Sequence, residues 1–302
     1  MIRCSLLLAL IAFGSLTAGT SATLQPAAGA ASTQAAFQLP NETGSVKFAV
    51  IGDSGTGARR QYEVAERMAI AHRVFPFTFV IMLGDNLYGS ERPDDYERKF
   101  ERPYAPLLAA GVKFYAALGN HDEPDQRHYE PFNMNGRRYY THDHGEVRFF
   151  VLDSNRLDPD QVAWLERELA SSEEPWKIVY LHHPLYSSGE RHGGEEELRE
   201  LLEPLFVKHG VSAVFAGHDH FYERLEPQQG IHYFVSGAAG KLRRNNLREN
   251  SALTARGFDS DYSFMLVEIV GDELHFECIA RDGRLVDRGV VPRVVRETVP
   301  TR

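Results

Sequence analysis

Cysteine is scarce in this sequence, which has only Cys4 and Cys278 among 302 residues. Cys4 lies in a segment that we predict to be removed, and one remaining cysteine cannot form an internal disulfide. An exported chain of this size must therefore rely on its core or on bound metal for stability. The alternating apolar residues of "LHFECIA" predict that Cys278 packs into the core rather than acting as a reactive thiol.

Long apolar runs are also missing. The run over residues 6–13 is far short of the roughly 20 apolar residues that a membrane span requires, and no later segment comes closer. With Arg3 before it and small residues near Ser21, this run predicts a cleaved export signal over residues 1–22. We therefore predict a periplasmic or secreted protein with no membrane attachment after signal cleavage.

Positive charge is not in excess either. The formal net charge is -9 at pH 7, which gives no electrostatic footprint for binding a nucleic-acid backbone. We expect no nucleic-acid partner.

The chain after the predicted signal divides into a linker and one domain. Residues 23–44 are small, polar and aperiodic, as in flexible linkers. Residues 45–295 show strand and helix patterns without a repeat or an internal linker, and the hydrophobic content of 43% is ample for a core. We predict a single domain over residues 45–295.

Eight short apolar runs are typical of buried strands, and helical patterns lie between several of them. In the clearest helix, "DPDQVAWLERELA", Asp158 is the predicted cap. The turn pairs Gly271-Asp272 and Asp282-Gly283 predict an antiparallel meander near the C terminus. These patterns predict an α/β domain with a mixed sheet. The eight runs are "KFAVIGD", "FTFVIMLGD", "VKFYAALGN", "VRFFVLDS", "KIVYLHHP", "VSAVFAGH", "IHYFVSG" and "YSFMLVEIV".

Polar side chains follow the ends of most of these strands. Ligand sites in α/β sheets lie off the carboxyl ends of strands, so these groups can converge although they span about half of the chain. Carboxylate, phenolate, amide and imidazole donors together suit iron, zinc or manganese rather than calcium or magnesium alone. They exceed the needs of one ion, so we predict two metal ions bridged by a carboxylate at a phosphoryl-transfer site. The strand-end residues are Asp53, Asp85, Tyr88, Asn120, His121, Asp122, His182, His218 and His220.

Five sequence blocks carry a family resemblance. The blocks "GDSG", "GDNLY", "GNHD", "VYLH" and "GHDH" occur in this order between Gly52 and His220. In kind and order they resemble the five blocks of the calcineurin-like metallophosphoesterases. Tyr88, in a GDxxY block, and the VxxH block that ends at His182 resemble the purple acid phosphatase branch, which includes the small tartrate-resistant type.

The resemblance implies a fold and a set of metal ligands. The fold would be a four-layer αββα sandwich of two mixed sheets flanked by helices, and residues 45–295 would be its catalytic domain. The first ion, ferric iron, would be held by Asp53, Asp85, Tyr88 and His220. The second ion, iron(II), zinc or manganese, would be held by Asp85, Asn120, His182 and His218, with Asp85 shared between the two.

The resemblance also implies catalytic roles. His121 would stay off the metals and protonate or stabilise the leaving oxygen, and Asp122 could orient its ring. His192 lies near the position of a second substrate histidine in the small tartrate-resistant enzymes. The implied mechanism is in-line attack of a metal-bound hydroxide on phosphorus, without a protein nucleophile.

Three functions stay open at this stage. The first is an exported, acid-phosphatase-like monoesterase that acts on phosphorylated small molecules or phosphopeptides. The second is a phosphodiesterase or nucleotide hydrolase of the same superfamily, and Tyr88 favours the first over it. The third is a catalytically silent extracytoplasmic binding protein, which the complete ligand set disfavours.

Several other polar residues are interpreted as structural. His142 and His144 are expected in surface structure at a turn between strands, and His183 in packing or in indirect support of the site. The loop "AAGKLRRNNLREN" contains four basic residues that could form a cationic wall, but basic loops are usually only solvated. These four are Lys241, Arg243, Arg244 and Arg248.

Overall fold

Thirteen strands and the helices between them make up the fold of residues 38–294, which the computed structural model describes. The predicted signal over residues 1–22 lies outside the described residues, as does the predicted linker up to residue 37. The strands are β1 (Val46–Ile51), β2 (Phe79–Met82), β3 (Lys113–Ala116), β4 (Tyr140–His144), β5 (Val147–Val151), β6 (Trp176–Leu181), β7 (Ala213–Ala216), β8 (Tyr222–Leu225), β9 (His232–Ser236), β10 (Thr254–Phe258), β11 (Ser263–Val270), β12 (Glu273–Ala280) and β13 (Leu285–Pro292).

The helices flank these strands. They are α1 (Arg59–His72), α2 (Pro93–Tyr96), α3 (Arg102–Ala109), α4 (Pro159–Ser171) and α5 (Glu196–His209), with a π-helical stretch at Glu97–Glu101 and short 3-10 turns at Pro124–His128 and Glu130–Phe132. None of the helices in the described part of the chain has the length and apolarity that crossing a membrane requires.

Two mixed sheets face each other. The first has six strands in the order β13-β12-β11-β1-β2-β3, and the second has seven in the order β10-β8-β9-β7-β6-β5-β4. The ring of Phe48 on β1 lies 5.3 Å from that of Phe149 on β5 and 6.2 Å from that of Phe215 on β7, measured between centroids. These contacts place the sheets face to face across one aromatic core.

Helices cover the outer faces of the two sheets. Met68 of α1 and Tyr104 of α3 are fully buried in the core that includes the first sheet. Leu165 of α4 and Phe206 of α5 belong to a separate apolar cluster with the outward residues of the second sheet, such as Phe150. The layers therefore run helix, sheet, sheet, helix, as the resemblance implies.

The predicted elements are confirmed. All eight predicted strands fall in strands of the two sheets, and Asp158 caps α4 by accepting a hydrogen bond from the backbone N–H of Gln161 at 3.0 Å. Strands β11, β12 and β13 form the antiparallel meander. Cys278 on β12 is completely buried.

The residues just before β1 are fixed to the first sheet. The backbone N–H groups of Asn41 and Glu42 donate to the buried carboxylate of Glu268 at 2.6 and 2.7 Å. Gln38 donates to Glu277 in the same way at 2.9 Å, and Leu39 is buried. These contacts hold the end of the predicted linker segment against β11 and β12.

His142 and His144 differ from their expected surface position. Both lie on β4, at alternate positions that share one face of the strand. The His142 ring stacks on Tyr115 with the centroids 4.0 Å apart, and the His144 ring stacks on Phe79 at 3.8 Å. Because this face meets the aromatic residues of the first sheet, the two rings pack into the structure.

Candidate metal centre

The candidate site lies where strands of both sheets end. Asp53, Asp85 and Asn120 follow β1, β2 and β3, which run parallel in the first sheet. His182 and His218 follow β6 and β7, which run parallel in the second sheet. Because the carboxyl ends of both sets meet, side chains from distant parts of the chain become neighbours. The structure brings together all seven predicted metal ligands, including Tyr88 and His220.

Three of these side chains form a first group. The Tyr88 hydroxyl lies 3.0 Å from Asp53 Oδ1 and 3.3 Å from His220 Nε2. His220 Nε2 is itself 3.2 Å from Asp53 Oδ1. A phenol oxygen, a carboxylate oxygen and an imidazole nitrogen therefore converge on one point.

Three others form a second group. Asn120 Oδ1 lies 3.0 Å from both His182 Nε2 and His218 Nδ1. The two imidazole nitrogens are 3.2 Å apart. An amide oxygen and two imidazole nitrogens therefore converge on a second point.

Asp85 lies between the two groups. Its Oδ1 is 3.4 Å from His182 Nε2 of the second group. One carboxylate oxygen of Asp85 and one ligand atom each of Asp53 and His220 lie within 4.8 Å of one another. These three atoms could hold a metal ion. Asp85 can therefore reach both groups, as the bridging ligand implied by the resemblance must do.

The backbone of the site is strained. Asp53, Asp85 and His218 have φ values of 54°, 52° and 66°, in the left-handed region that non-glycine residues seldom adopt. Gly84, with φ of 86°, permits the close contact behind them, because a Cβ there would lie 2.7 Å from His182 Nδ1. The fold holds these ligands in costly conformations, which is typical of functional sites.

The orientation of His182 tests whether the second group fits a metal ion. Its Nδ1 lies 2.8 Å from the carbonyl oxygen of Leu83, so Nδ1 must donate and Nε2 of the neutral ring carries a lone pair. That lone pair faces Asn120 Oδ1, which is also an acceptor. Two acceptors at this distance repel unless a cation or an added proton lies between them, so the donor set fits a cation.

The first group also carries charges that a cation would balance. Burial and the charges of Asp53 and Asp85 raise the pKa of Tyr88. Burial opposes ionisation of Asp53, but the hydrogen bond with His220 and the charges of the surrounding histidines lower its pKa overall. A bound cation would reverse the effect on Tyr88, since it favours the phenolate.

His121 and Asp122 are neighbours in the chain, but only His121 points its side chain to the exposed side of the site. His121 is exposed, and its ring centroid lies 4.9 Å from that of Tyr88. The resemblance allows Asp122 to orient the His121 ring, whereas in the structure Asp122 accepts hydrogen bonds from Gly119 N at 2.8 Å and Leu87 N at 3.0 Å, and from the side chain of Gln126 at 2.7 Å. Its role is to connect the loops after β2 and β3.

His192 lies at the rim of the second group. Its exposed ring has a centroid distance of 4.3 Å to the ring of His218. The loop that carries it is held by Asp219, whose Oδ2 accepts a hydrogen bond from Ser187 at 2.5 Å. Burial raises the pKa of Asp219 to about 6. The structure thus places His192 beside the second group, where the resemblance implied a second substrate histidine.

His183 is closer to the site than expected. Its ring centroid is 4.4 Å from that of His218, and its ligand nitrogen lies close enough to those of His182 and His218 for the three to hold a metal ion. Ser154, at the end of β5, lies 2.8 Å from His183 Nδ1. Burial lowers the pKa of His183 to about 3. The paired histidines of "LHHP" show that a second imidazole follows His182, but they do not show which way its ring points.

A cavity of about 700 Å³ adjoins the second group. Asn120 and His183 line it on the side of the site, and Arg127, Arg138 and Arg156 line it elsewhere. This cavity leaves open space next to the candidate ligands.

A comparison with models of protein families shows to which family the chain belongs. Residues 46–222 match the family described as calcineurin-like phosphoesterase. The chain belongs to this family. As a calcineurin-like phosphoesterase it is a phosphoric ester hydrolase, and the matched residues include all seven candidate ligands. The resemblance carried by the five sequence blocks is confirmed.

Individual relatives of this calcineurin-like phosphoesterase are acid phosphatases. The chain is 28% identical over 252 residues to tartrate-resistant acid phosphatase type 5 of Oryctolagus cuniculus, across 69% of this chain and 77% of that protein. It is also 28% identical to purple acid phosphatase 17 of Arabidopsis thaliana, across 77% of this chain and 83% of that protein.

A solved purple acid phosphatase from seeds of Lupinus luteus has a similar structure. The TM-score is 0.69 at 21% identity, across 84% of this chain and 55% of that chain. At this identity the likeness shows a shared fold. The predicted sandwich of two mixed sheets flanked by helices is confirmed.

Proposed function

We propose that this protein is an exported phosphatase that hydrolyses phosphate monoesters with the help of two metal ions. The convergence of Tyr88, Asp53 and His220 on one point is the observation that carries the proposal, because a phenol oxygen is an unusual metal ligand that favours iron(III). The acid phosphatases among its relatives support the same reaction.

The two groups of side chains define which residues would hold each ion. Iron(III) would be held by Asp53, Tyr88 and His220, and iron(II), zinc or manganese would be held by Asn120, His182 and His218. Asp85, which lies within reach of both groups, would be shared. When bound, the metal ions would supply positive charge that stabilises the phosphoryl group and makes a water molecule more acidic.

Two histidines face the space above these groups. His121, next to the ring of Tyr88, would donate a proton to the leaving alcohol, a role to which imidazole is suited near neutral pH. His192, next to the ring of His218, would bind a phosphate oxygen. Both side chains are exposed, so a substrate can reach them from solvent.

Phosphorylated small molecules and phosphopeptides are the proposed substrates. The cavity of about 700 Å³ beside Asn120 has room for the alcohol part of such an ester. We place the reaction in the periplasm or outside the cell, because the sequence predicts an export signal over residues 1–22.

The rates at which the protein hydrolyses a phosphate monoester and a matching diester test this function. The full chain would be expressed with its own N-terminal segment, supplied with iron and zinc, and measured on 4-nitrophenyl phosphate and bis(4-nitrophenyl) phosphate. We expect the monoester to have the higher kcat/KM. In the His121→Ala variant kcat should fall by about 100-fold or more, the usual contribution of a general acid.

A matched control is the exposed His128→Ala, which should retain full activity because His128 lies outside both groups. A higher kcat/KM on the diester would favour the phosphodiesterase alternative. Metal binding without hydrolysis of either ester would favour the silent binding protein.

A further inference from the structure

The segment from Lys241 to Arg243 is attached to the metal centre by its backbone. The N–H of Lys241 donates to the carbonyl oxygen of Asp53 at 3.0 Å, and the N–H of Arg243 donates to that of His220 at 2.9 Å. Asp53 and His220 both belong to the first group of candidate ligands. The backbone from which the Lys241 and Arg243 side chains extend is therefore held at the edge of this group.

The Lys241 side chain lies on the ring of Tyr88. Its Nζ is 4.3 Å from the ring centroid, a distance at which an ammonium group is attracted by the aromatic face. The residue is half-buried, and within the described residues no carboxylate forms an ion pair with it.

Arg243 has an unsatisfied polar atom. Its Nη1 is buried and has no hydrogen-bond partner among the described residues. An anionic group next to Arg243 would satisfy this nitrogen with a charge-assisted hydrogen bond.

The other basic residues of this loop differ from Lys241 and Arg243. Arg244 and Arg248 are exposed, as expected for a solvated basic loop. The structure therefore divides the four basic residues into two that are half-buried and two that are exposed. The sequence alone gave no reason for this division.

We propose that Lys241 and Arg243 form a subsite that binds a second phosphate group of the substrate. Because Lys241 lies over the ring of Tyr88 and not at its hydroxyl, the subsite is beside the metal ligands and leaves them free for the phosphate that is cleaved. The subsite rests on the proposed function, since the first phosphate must lie at the metal centre. The preferred substrates are small molecules that carry two phosphate groups.

Matched pairs of synthetic esters test the subsite. The probes are alkanediol bisphosphates with linkers of two to six carbons, each compared with the alkanol monophosphate of the same length. We expect the metal-loaded enzyme to favour the best bisphosphate by about tenfold or more in kcat/KM, as one good charge-assisted contact would provide. In the double variant Lys241→Gln/Arg243→Gln, the ratio of kcat/KM between bisphosphate and monophosphate should fall to about twofold or less.

The control variant is Arg244→Gln, which removes an exposed cation from the same loop and should keep the bisphosphate preference. An equal loss of rate on both members of each pair in the double variant would overturn the subsite, because the cations would then act on the cleaved phosphate. An unchanged preference in the double variant would overturn it as well.

Binding measured without turnover separates this subsite from the proposed function. Calorimetry on the metal-loaded protein would compare butane-1,4-diphosphonate with butylphosphonate, neither of which can be hydrolysed. Tighter binding of the diphosphonate that is lost in Lys241→Gln/Arg243→Gln supports the subsite even if no ester is hydrolysed. Hydrolysis of monoesters with equal binding of the two phosphonates overturns the subsite and leaves the proposed function standing.

Discussion

The hydroxyl of Tyr88 donates a hydrogen bond to Asp53 Oδ1 over 3.0 Å, although the two residues are 35 positions apart in the chain. The contact forms because β1 and β2 are parallel neighbours, so their carboxyl ends lie side by side. In a metal-loaded protein the same two oxygens would face one ion instead of each other. This pair therefore connects the topology of the first sheet to the chemistry that we propose.

Tyr88→Phe should remove the visible absorption of the iron-loaded protein. The ring keeps its place, but the oxygen that would bind iron(III) is lost, so iron content should fall by about one ion per chain in a two-ion site. Absorption spectra and elemental analysis check this. Tyr62→Phe is the control, because the Tyr62 hydroxyl only donates to the Arg98 carbonyl oxygen on the surface. Full colour in Tyr88→Phe would contradict the assignment.

Gly84→Ala should damage the site more than Gly89→Ala. Both glycines have positive φ, 86° and 78°, so alanine costs about 1–2 kcal/mol of stability at either position. Only at Gly84 would the added Cβ also meet Gly119 N and His182 Nδ1, each at 2.7 Å, whereas nothing lies within 4 Å at Gly89. Urea unfolding and metal content measure the difference. Equal losses would show that the close contact behind His182 is not needed.

Asp122→Asn should lower the free energy of unfolding by about 2 kcal/mol, because a half-buried carboxyl group that accepts several N–H groups is replaced by an amide that also donates. The donors include the backbone N–H groups of Asn86 at 3.1 Å and Gly119 at 2.8 Å, which adjoin Asp85 and Asn120. Metal affinity should fall with stability.

The control for this change is Asp125→Asn. Asp125 is exposed and meets only Arg127, at 3.6 Å. It should leave both the urea midpoint and the metal affinity close to wild type. A wild-type midpoint in Asp122→Asn would contradict the structural role of Asp122.

His144 should make the protein less stable in acid. Burial lowers the pKa of His144 from 6.5 to about 4. Between these values the unfolded chain binds a proton that the folded chain does not, so stability falls as pH drops from about 6.5 to 4. Allowing for solvent screening at the partly exposed ring, the loss should be about 1–2 kcal/mol.

His144→Phe, which can keep the stacking on Phe79, should lose less stability than wild type over this range. Urea unfolding at pH 6.5 and 4.5 checks this, with the exposed His128→Asn as control. The same pH dependence in wild type and His144→Phe would show that another group is responsible.

Much of the fold could be predicted from local patterns. Continuous apolar runs gave the central strands, and Asp158 gave the start of α4, because burial and capping are decided by nearby residues. The short strands β8 and β10 were missed. They contain charged residues such as Glu223 and Arg256, whose pairing depends on contacts with distant segments.

The candidate ligands could be found because each follows a strand and lies in a recognisable block. The positions of His183, Lys241 and Arg243 could not. The His183 ring is oriented by a hydrogen bond with Ser154, 29 residues away. Lys241 and Arg243 are positioned by backbone hydrogen bonds to Asp53 and His220. Such contacts join segments that are remote in sequence, so no local pattern signals them.

A crystal structure of the protein loaded with iron and zinc, with anomalous scattering measured at both absorption edges, tests the central claim most directly. We predict two metal peaks, one bounded by Asp53, Tyr88 and His220 and the other by Asn120, His182 and His218, with the Asp85 carboxylate shared between them. A single peak, or Tyr88 turned away from the iron, would contradict it.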